Sequence, residues 1–308
     1  MKIFIIGIGG QVGTKLAESA VPNGHEVHGG HMSRPWRMGQ RSSIPFDKRD
    51  RDHAFQVLSE LKPDVVIDTG ALHNVDYCET HPDEAIAINA AGTLNVAQAC
   101  GKAGSRLIFI STDFVFNGFG APYTEESRPD PLSVYARSKL LGEGHALSDG
   151  VNAVVRPSVI YSWVSPSGMS QTSASGKPLN FAAWLVSQLG AKKAVEIVND
   201  QIASPTLADD LARAILAIAE SGRSGLFHTA GATPLSRFDF SVKVARRLAL
   251  DEGLVHAISS SGLKQVAKRP ANSSLISDRI RREVGYGMMT IDHALDLFAR
   301  EAESQATS

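Results

Sequence analysis

The chain has 308 residues, of which 43% are hydrophobic and 20% are charged. This composition supports a sizeable buried core and argues against a disordered or fibrous protein. Thirty-one Lys and Arg residues against 32 Asp and Glu residues leave a formal net charge of −1, so no overall field draws the chain to nucleic acid or to an acidic membrane. We therefore expect a soluble protein that acts on a small molecule, without nucleic-acid or membrane partners.

The cysteine content indicates the cellular compartment. Cys78 and Cys100 are too few for a disulfide framework and stand outside any metal-binding spacing. The apolar start, Ile3 to Ile8, is too short for the core of a signal peptide, and no later apolar run approaches the roughly 18 residues of a membrane span. We expect a cytoplasmic protein without a metal site.

Short β-rich runs alternate with helical stretches through the first half of the chain. Strands are predicted at Lys2–Ile6, His25–Gly29, Val65–Asp68, Arg106–Ser111 and Ala153–Arg156, and helices at Val12–Ala20, Asp50–Leu61, Pro82–Ala103 and Val134–Leu147. The strands are nearly continuous in Val, Ile, Leu and Phe, as strands covered on both faces require. This alternation predicts an α/β fold with a doubly wound parallel sheet of the Rossmann type.

The regular alternation ends after Arg156. Residues Ser162 to Ser175 are rich in serine and predict a surface loop that serves as a lid. Helices are predicted again at Phe181–Leu189, Leu207–Ala219, Arg237–Leu248 and Ile291–Glu301, with strands at Val195–Val198 and Leu226–Thr229. We predict a Rossmann domain over residues 1–158 and a smaller, mixed α/β substrate domain over residues 159–308, with part of 195–225 returning to the Rossmann domain.

Three glycines, Gly7, Gly10 and Gly13, stand three apart between the first predicted strand and the first predicted helix. Glycine there lets the backbone turn tightly and approach a pyrophosphate, which the free N–H groups of the helix N-terminus then bind. Because position 12 is Val, the spacing is GxxGxxG rather than GxGxxG, and it resembles that of the short-chain dehydrogenase/reductase superfamily. An ordinary glycine turn is the alternative.

The end of the second predicted strand bears on the choice of nicotinamide cofactor. A carboxylate there would bind the adenosine ribose hydroxyls and repel a 2′-phosphate, but the stretch from 28 to 34 contains none. Ser33 and Arg34 offer a hydroxyl and a guanidinium where the phosphate would lie, which favours NADP(H). Asp47 is placed to meet the adenine amino group. A solvated loop arginine and a plain turn aspartate are the alternatives.

Tyr135 and Lys139 are four residues apart on a predicted helix and so share one face. Reduction of a carbonyl group requires a proton donor beside the oxygen, and a phenol can serve if a neighbouring ammonium lowers its pKa. Lys139 would also reach the hydroxyls of the nicotinamide ribose. The pair predicts carbonyl reduction.

The strand that ends at residue 110 is followed by Ser111 and Thr112, at the edge where an open α/β sheet binds its ligand. We assign the hydroxyl that holds the substrate oxygen to Thr112, because alternation along the strand points Ser111 the other way. Asn89 lies in an apolar helical stretch, and it is either a hydrogen-bonded core amide or part of a proton path through water.

Several segments together resemble the dTDP-4-dehydrorhamnose reductase family of extended short-chain dehydrogenases/reductases. The matching stretches are GIGGQVG at 7–13, ISTDFVFNG at 110–118, PLSVYARSKLLGE at 131–143, and the shorter segments 199–201, 204–206, 225–228 and 269–273. The resemblance implies NADPH-dependent reduction of a 4-keto-6-deoxy nucleotide sugar by Thr112, Tyr135 and Lys139. It implies that Asp113 lies near the sugar and that Asn180 and Arg269 lie near the phosphates. The implied cofactor-binding residues are Gly7, Gly10, Gln11, Val12, Gly13, Ser33, Arg34, Asp47, Tyr135 and Lys139.

One position departs from the family pattern, since Val159 stands where these reductases usually have a Trp that shapes the sugar site. Trp163 could take its place or could simply anchor the loop. Three other functions stay open: a reductase of a non-nucleotide carbonyl compound, a non-catalytic NADP-binding subunit resembling the regulatory β subunit of methionine adenosyltransferase, and a nucleotide-sugar dehydratase. The dehydratase would be expected to have an acid at position 114, which is Phe. The natural substrate and a homodimer are also left open.

Overall fold

The computed structural model describes residues 1–163, 180–263 and 265–306. Its strands are β1 (Lys2–Ile6), β2 (Glu26–His31), β3 (Arg37–Met38), β4 (Arg41–Ser42), β5 (Ile44–Pro45), β6 (Val65–Asp68), β7 (Arg106–Ile110), β8 (Ala153–Arg156), β9 (Ile160–Tyr161), β10 (Val195–Val198), β11 (Ile202–Ala203), β12 (Thr206–Leu207), β13 (Gly225–His228), β14 (Leu235–Ser236) and β15 (Val255–Ile258).

The helices lie between these strands and at the C-terminal end. They are α1 (Gln11–Ala20), α2 (Arg51–Leu61), α3 (Val75–Thr80), α4 (Pro82–Ile86), α5 (Gly92–Ala103), α6 (Val134–Leu147), α7 (Phe181–Gly190), α8 (Ala208–Ser221), α9 (Arg237–Arg247), α10 (Asp278–Val284) and α11 (Ile291–Ala306). A π-helical turn, Ala87–Ala91, joins α4 to α5.

The centre of the protein is a seven-stranded parallel sheet in the order β13-β8-β7-β6-β1-β2-β5. The predicted fold class is confirmed. All the strands run the same way, so their carboxyl ends share one edge, and the segments that follow β1, β6, β7 and β8 meet there.

Successive side chains of β1 point alternately into two separate cores. Ile3 and Ile5 pack with α1 and α8 on one face, whereas Phe4 and Ile6 pack with α2, α5 and α6 on the other. Covering both faces explains why the sequence of β1 is apolar throughout.

A third core lies outside the sheet and is built by α7, α9, α11 and the β10–β15 pair. It includes Tyr161, Leu185, Phe240 and Phe298. The chain returns from this unit to the large sheet, because α8 packs on α1 and β13 pairs with β8. The boundary between the two domains stays a prediction.

Some predicted elements differ from those observed. The single helix predicted over residues 82–103 is α4, the π-helical turn and α5. Strand β2 extends to His31 through Gly29 and Gly30, two poor strand formers that are needed because a Cβ at either position would collide with Ile8 or Phe46. The short helix α3 and the β3–β4 hairpin were not predicted. The predicted serine-rich loop lies, from residue 164 to residue 175, outside the described residues.

Candidate active site

The turn after β1 has a backbone that requires glycine. Gly7 has a φ of +78°, and its amide donates to the carbonyl of Gly30 at 2.8 Å while its carbonyl accepts from the amide of Gly10 at 2.9 Å. A Cβ on Gly13 would lie 2.4 Å from the Gly7 oxygen and 2.6 Å from the Ile8 Cα. Helix α1 therefore packs directly against the turn, with its N-terminus at the binding edge of the sheet.

The N-terminus of α1 is open. Its N-cap, Gly10, provides no side-chain acceptor, and the first turn has no acidic residue. By contrast, Asp50 caps α2 and Ser133 caps α6. The buried side-chain nitrogen of Gln11 has no hydrogen-bond partner among the described residues. These groups fit the pyrophosphate of a dinucleotide.

The side chain of Val12 packs against the core on the α1 face of the sheet. It therefore offers a ligand only its backbone.

Arg34 lies beside the glycine turn. A Cβ on Gly9 would be 2.1 Å from the Arg34 carbonyl oxygen, so the loop after β2 rests on the turn. Ser33 is exposed in the same loop. Asp47 follows β5, and its carboxylate accepts two hydrogen bonds from Arg49, which hold the pKa of Asp47 below its ordinary value. The contact of Asp47 with adenine stays a prediction.

Thr112 and Tyr135 meet at the carboxyl edge. The Thr112 hydroxyl lies close enough to the Tyr135 phenol to oppose the rise of its pKa, and it donates to a carboxylate oxygen of Asp113 at 3.1 Å. The Tyr135 ring packs among Cys78, Ala85 and Phe114. Burial raises the pKa of the phenol, so it keeps its proton at neutral pH, the state that a proton donor needs.

Lys139 is buried on the same face of α6 as Tyr135, with Nζ 4.0 Å from the centre of the Phe109 ring. Burial and the ammonium of Lys48 lower the pKa of Lys139 to about 7. The expected lowering of the Tyr135 pKa by Lys139 is not seen, since burial of the phenol dominates and raises its pKa. The two side chains do share one face of the helix as expected.

A buried ion pair lies beside Lys139. Lys48 donates to Asp68 at 2.8 Å and to the Gly70 carbonyl at 2.7 Å. The Lys48 Nζ lies 5.9 Å from the centre of the Phe109 ring, and the Lys139 Nζ lies over the same ring. The sequence reasoning missed this pair, although an acid at the end of the apolar run Val65–Asp68 was an available signal.

Ser111 points away from Tyr135, as the strand alternation predicts. It donates to Glu143, whose carboxylate is paired with Arg156 at 2.6 Å inside the protein.

Asn89 is a core amide whose side-chain oxygen and nitrogen both have hydrogen-bond partners. It donates to the Leu72 carbonyl and to Ser138, and it accepts from the Leu72 amide. Its hydrogen bonds tie the π-helical turn to α6.

The Asp113 carboxylate faces the protein interior. It is 2% exposed and accepts hydrogen bonds from Ser158 at 2.7 Å and from Ser273 at 2.5 Å, in addition to Thr112. Burial raises its pKa. Asp113 therefore holds Thr112 in place and joins the ends of β7 and β8 to the C-terminal segment. The sequence alone did not indicate Ser158 or Ser273.

Asn180 and Arg269 have protein partners of their own. Asn180 caps α7 by accepting from the amides of Ala182 and Ala183, and its amide nitrogen donates to Ser162. Arg269 is ion-paired with Asp76 at 3.0 Å. The phosphate contacts implied for both residues stay predictions, and the structure gives each a structural role.

Val159 lines a cleft, and Phe114, Arg237 and Arg269 are among the other residues that line it. Its φ of +40° is unusual for a β-branched residue, and backbone strain of this kind clusters at functional sites. Trp163 does not replace the family's Trp here, because it packs edge-on against Phe298 in the third core.

Two kinds of feature are absent from the described residues. No helix in these ranges is long and apolar enough to cross a membrane. Within the same ranges, no group of three or more His, Cys, Asp and Glu side chains could hold a metal ion.

The parallel sheet, the glycine turn and the Thr112, Tyr135 and Lys139 arrangement define an extended short-chain dehydrogenase/reductase. A family model described as the RmlD substrate binding domain matches residues 1–304. The chain belongs to this family, that of the dTDP-4-dehydrorhamnose reductases.

Individual relatives agree with the family. A probable low-salt glycan biosynthesis reductase of Haloferax volcanii is 31% identical over 98% of both chains. A dTDP-4-dehydrorhamnose reductase of Mycobacterium tuberculosis is 34% identical over 90% of this chain and 85% of its own. The solved structure of dTDP-4-dehydrorhamnose reductase from Bacillus anthracis in complex with NADP superimposes with a TM-score of 0.85 at 26% identity, covering 97% of this chain and 99% of the other.

Proposed function

We propose that the chain is an NADPH-dependent reductase of a 4-keto-6-deoxy sugar attached to a nucleoside diphosphate. The observation that carries the proposal is the meeting of Thr112, Tyr135 and Lys139 at the carboxyl edge of the sheet, beside the open glycine turn. The names of the relatives supply the sugar nucleotide, and the relative solved with NADP supports the cofactor.

Each catalytic residue has a distinct task. NADPH, when bound, supplies the hydride that reaches the ketone carbon. The hydroxyls of Thr112 and Tyr135 bind the ketone oxygen, and the Tyr135 phenol gives its proton to that oxygen as the negative charge develops. Lys139 binds the nicotinamide ribose hydroxyls and, when protonated, stabilises the phenolate that remains.

The decay of NADPH absorbance in the presence of a panel of carbonyl compounds tests this function. We expect turnover with a dTDP-4-keto-6-deoxyhexose at a rate at least tenfold above that with simple ketones. If the protein reduces a simple ketone efficiently but reduces no nucleotide-linked ketose, the proposed function is wrong and the protein is a reductase of non-nucleotide carbonyl compounds. Absence of turnover with every compound, despite NADPH binding, would favour a regulatory NADP-binding subunit.

Cofactor preference is the first quantitative prediction. Charge-assisted contacts of Arg34 and Ser33 with the 2′-phosphate are worth about 1.5 to 3 kcal/mol, so NADPH should bind roughly ten- to a hundredfold more tightly than NADH. Titration of cofactor fluorescence measures both affinities. Arg34→Ala should remove most of this preference by weakening NADPH binding alone.

Arg41→Ala is the matched control, because Arg41 is exposed on the nearby β3–β4 hairpin. It should leave both affinities unchanged. If Arg34→Ala weakened NADH and NADPH equally, the loss would reflect a disturbed glycine turn, and the phosphate assignment would be wrong.

The compartment and the oligomeric state complete the proposal. Both thiols are free and buried, which is compatible with a reducing cytoplasm. A homodimer, the commonest closed assembly of soluble proteins, is the state that light scattering should detect. A monomer mass at all protein concentrations would contradict the proposed homodimer.

A further inference from the structure

We infer that Arg237 is the cation that binds the diphosphate of the substrate, in the cleft that Phe114 and Val159 also line. This inference rests on the proposed function and names a residue of the same site. Arg237 and Arg269 both line the cleft. Arg269 already has a carboxylate partner, since it is paired with Asp76 at 3.0 Å and also donates to the Ala267 carbonyl at 2.9 Å.

Arg237 has no such partner in the parts of the chain that the structure describes. Its guanidinium lies over the face of the Phe181 ring, 4.9 Å from the ring centre, and no described carboxylate pairs with it. A ring face attracts a cation but does not neutralise it. The buried Asp113 carboxylate attracts the Arg237 guanidinium without forming an ion pair with it, so the described groups balance this charge only in part.

The position of Arg237 makes that charge costly. Arg237 is the first residue of α9, where the helix dipole disfavours a cation. Burial and the neighbouring Arg269 lower its pKa. An arginine remains charged in spite of these effects, so an anion entering the cleft would gain an attraction that Asp113 meets only in part.

The backbone of Arg237 is anchored beside the cleft. The amide of Arg237 donates to the carbonyl of Gln201 at 3.1 Å, and β14 pairs with β11 immediately before it. Gln201, Phe114 and Val159 line the same cleft. Arg237 is thus held on a helix and a strand pair rather than on a free loop.

The position of the cleft suits a nucleotide sugar. Phe114, which lines it, follows Thr112 by two residues, and its ring meets Tyr135 edge-on with centroids 6.4 Å apart, so the cleft adjoins the catalytic residues. In a 4-keto hexose the anomeric carbon, which carries the diphosphate, lies across the ring from the ketone. A ketone at Tyr135 therefore directs the diphosphate away from the hydroxyls, toward the arginines. A guanidinium is suited to two adjacent phosphate oxygens.

Arg237→Met tests the inference, because methionine replaces the unbranched apolar stem of the side chain while removing the charge. We expect the Kd for dTDP, measured by calorimetry, to rise about ten- to a hundredfold. The Kd for thymidine and the Kd for NADPH should stay within about twofold. Arg237→Lys should recover the greater part of the affinity for dTDP. Inorganic pyrophosphate should compete with dTDP in the wild type and compete much less in Arg237→Met.

Arg247→Met is the matched control on the same helix, since Arg247 forms an ion pair with Asp296 at the surface. It should bind dTDP as the wild type does. An unchanged Kd for dTDP in Arg237→Met would overturn the inference, as would an equal loss of thymidine and dTDP binding, which would indicate a change in the shape of the cleft.

Turnover separates this inference from the proposed function. If the wild type reduces a nucleotide-linked ketose and Arg237→Met has the same KM, the diphosphate subsite is wrong and the function stands. If the wild type reduces no such ketose but binds dTDP through Arg237, the subsite stands and the proposed reaction is wrong.

Discussion

Tyr135→Phe should reduce turnover by about a hundredfold or more and leave NADPH affinity within about twofold of the wild type. The substitution removes only the phenolic oxygen, which lies close to the Thr112 hydroxyl. The ring would retain its packing among Cys78, Ala85 and Phe114, so the fold should be preserved. Single-turnover measurements with saturating NADPH would isolate the chemical step from binding.

Tyr77→Phe is the control for this substitution. Tyr77 lies on α3 and donates to Glu84 rather than to a catalytic group, so its loss should leave turnover unchanged. Normal turnover of Tyr135→Phe would mean that another group protonates the ketone. The assignment of Tyr135 as proton donor would then be abandoned.

Lys139→Met should weaken NADPH binding and lower turnover, each by at least about tenfold, because the ammonium that binds the ribose and stabilises the phenolate is lost. The same variant should make the cofactor-free protein more stable at low pH. Methionine can occupy the space over the Phe109 ring without the cost of a buried charge. Urea unfolding at pH 6, 8 and 10 measures the free energy of unfolding.

The stability of the cofactor-free protein should increase with pH because of Lys139. Lys139 has a pKa of about 7 in the folded chain and close to 10.5 in the unfolded chain. Between these values the unfolded state binds more protons, so stability rises with pH through that window and the penalty is full below about pH 7. Each pKa unit is worth about 1.4 kcal/mol, so Lys139→Met should gain about 5 kcal/mol at pH 6 and only about 1 kcal/mol at pH 10.

Lys102→Met provides the comparison, because Lys102 also lies near a ring, that of Phe55, but is exposed to solvent. It should show neither the stability gain at pH 6 nor a loss of NADPH affinity. A Lys139→Met protein with the same pH dependence as the wild type would show that Lys139 is not the group that titrates.

Most of the nucleotide-binding half could be predicted from the sequence because its signals are local. The apolar run of β1, the three glycines and the four-residue spacing of Tyr135 and Lys139 each lie within one element or its immediate turn. Strand and helix periodicity then places them at the carboxyl edge, since parallel strands share that edge. The relative positions of Ser111 and Thr112 follow from the same alternation.

Contacts between residues that are distant in sequence were decided only by the tertiary structure. Lys48 and Asp68 form a buried pair beside Lys139, and Ser273 reaches Asp113 across 160 residues of chain. No local pattern shows whether an arginine will meet a carboxylate. In the fold Arg269 pairs with Asp76, whereas Arg237, which the sequence did not single out, lies over the Phe181 ring. The direction of a pKa shift is decided in the same way, because burial depends on every element packed around the group. The sequence thus determined which groups carry the chemistry, and the packing determined which of their charges are left for a ligand.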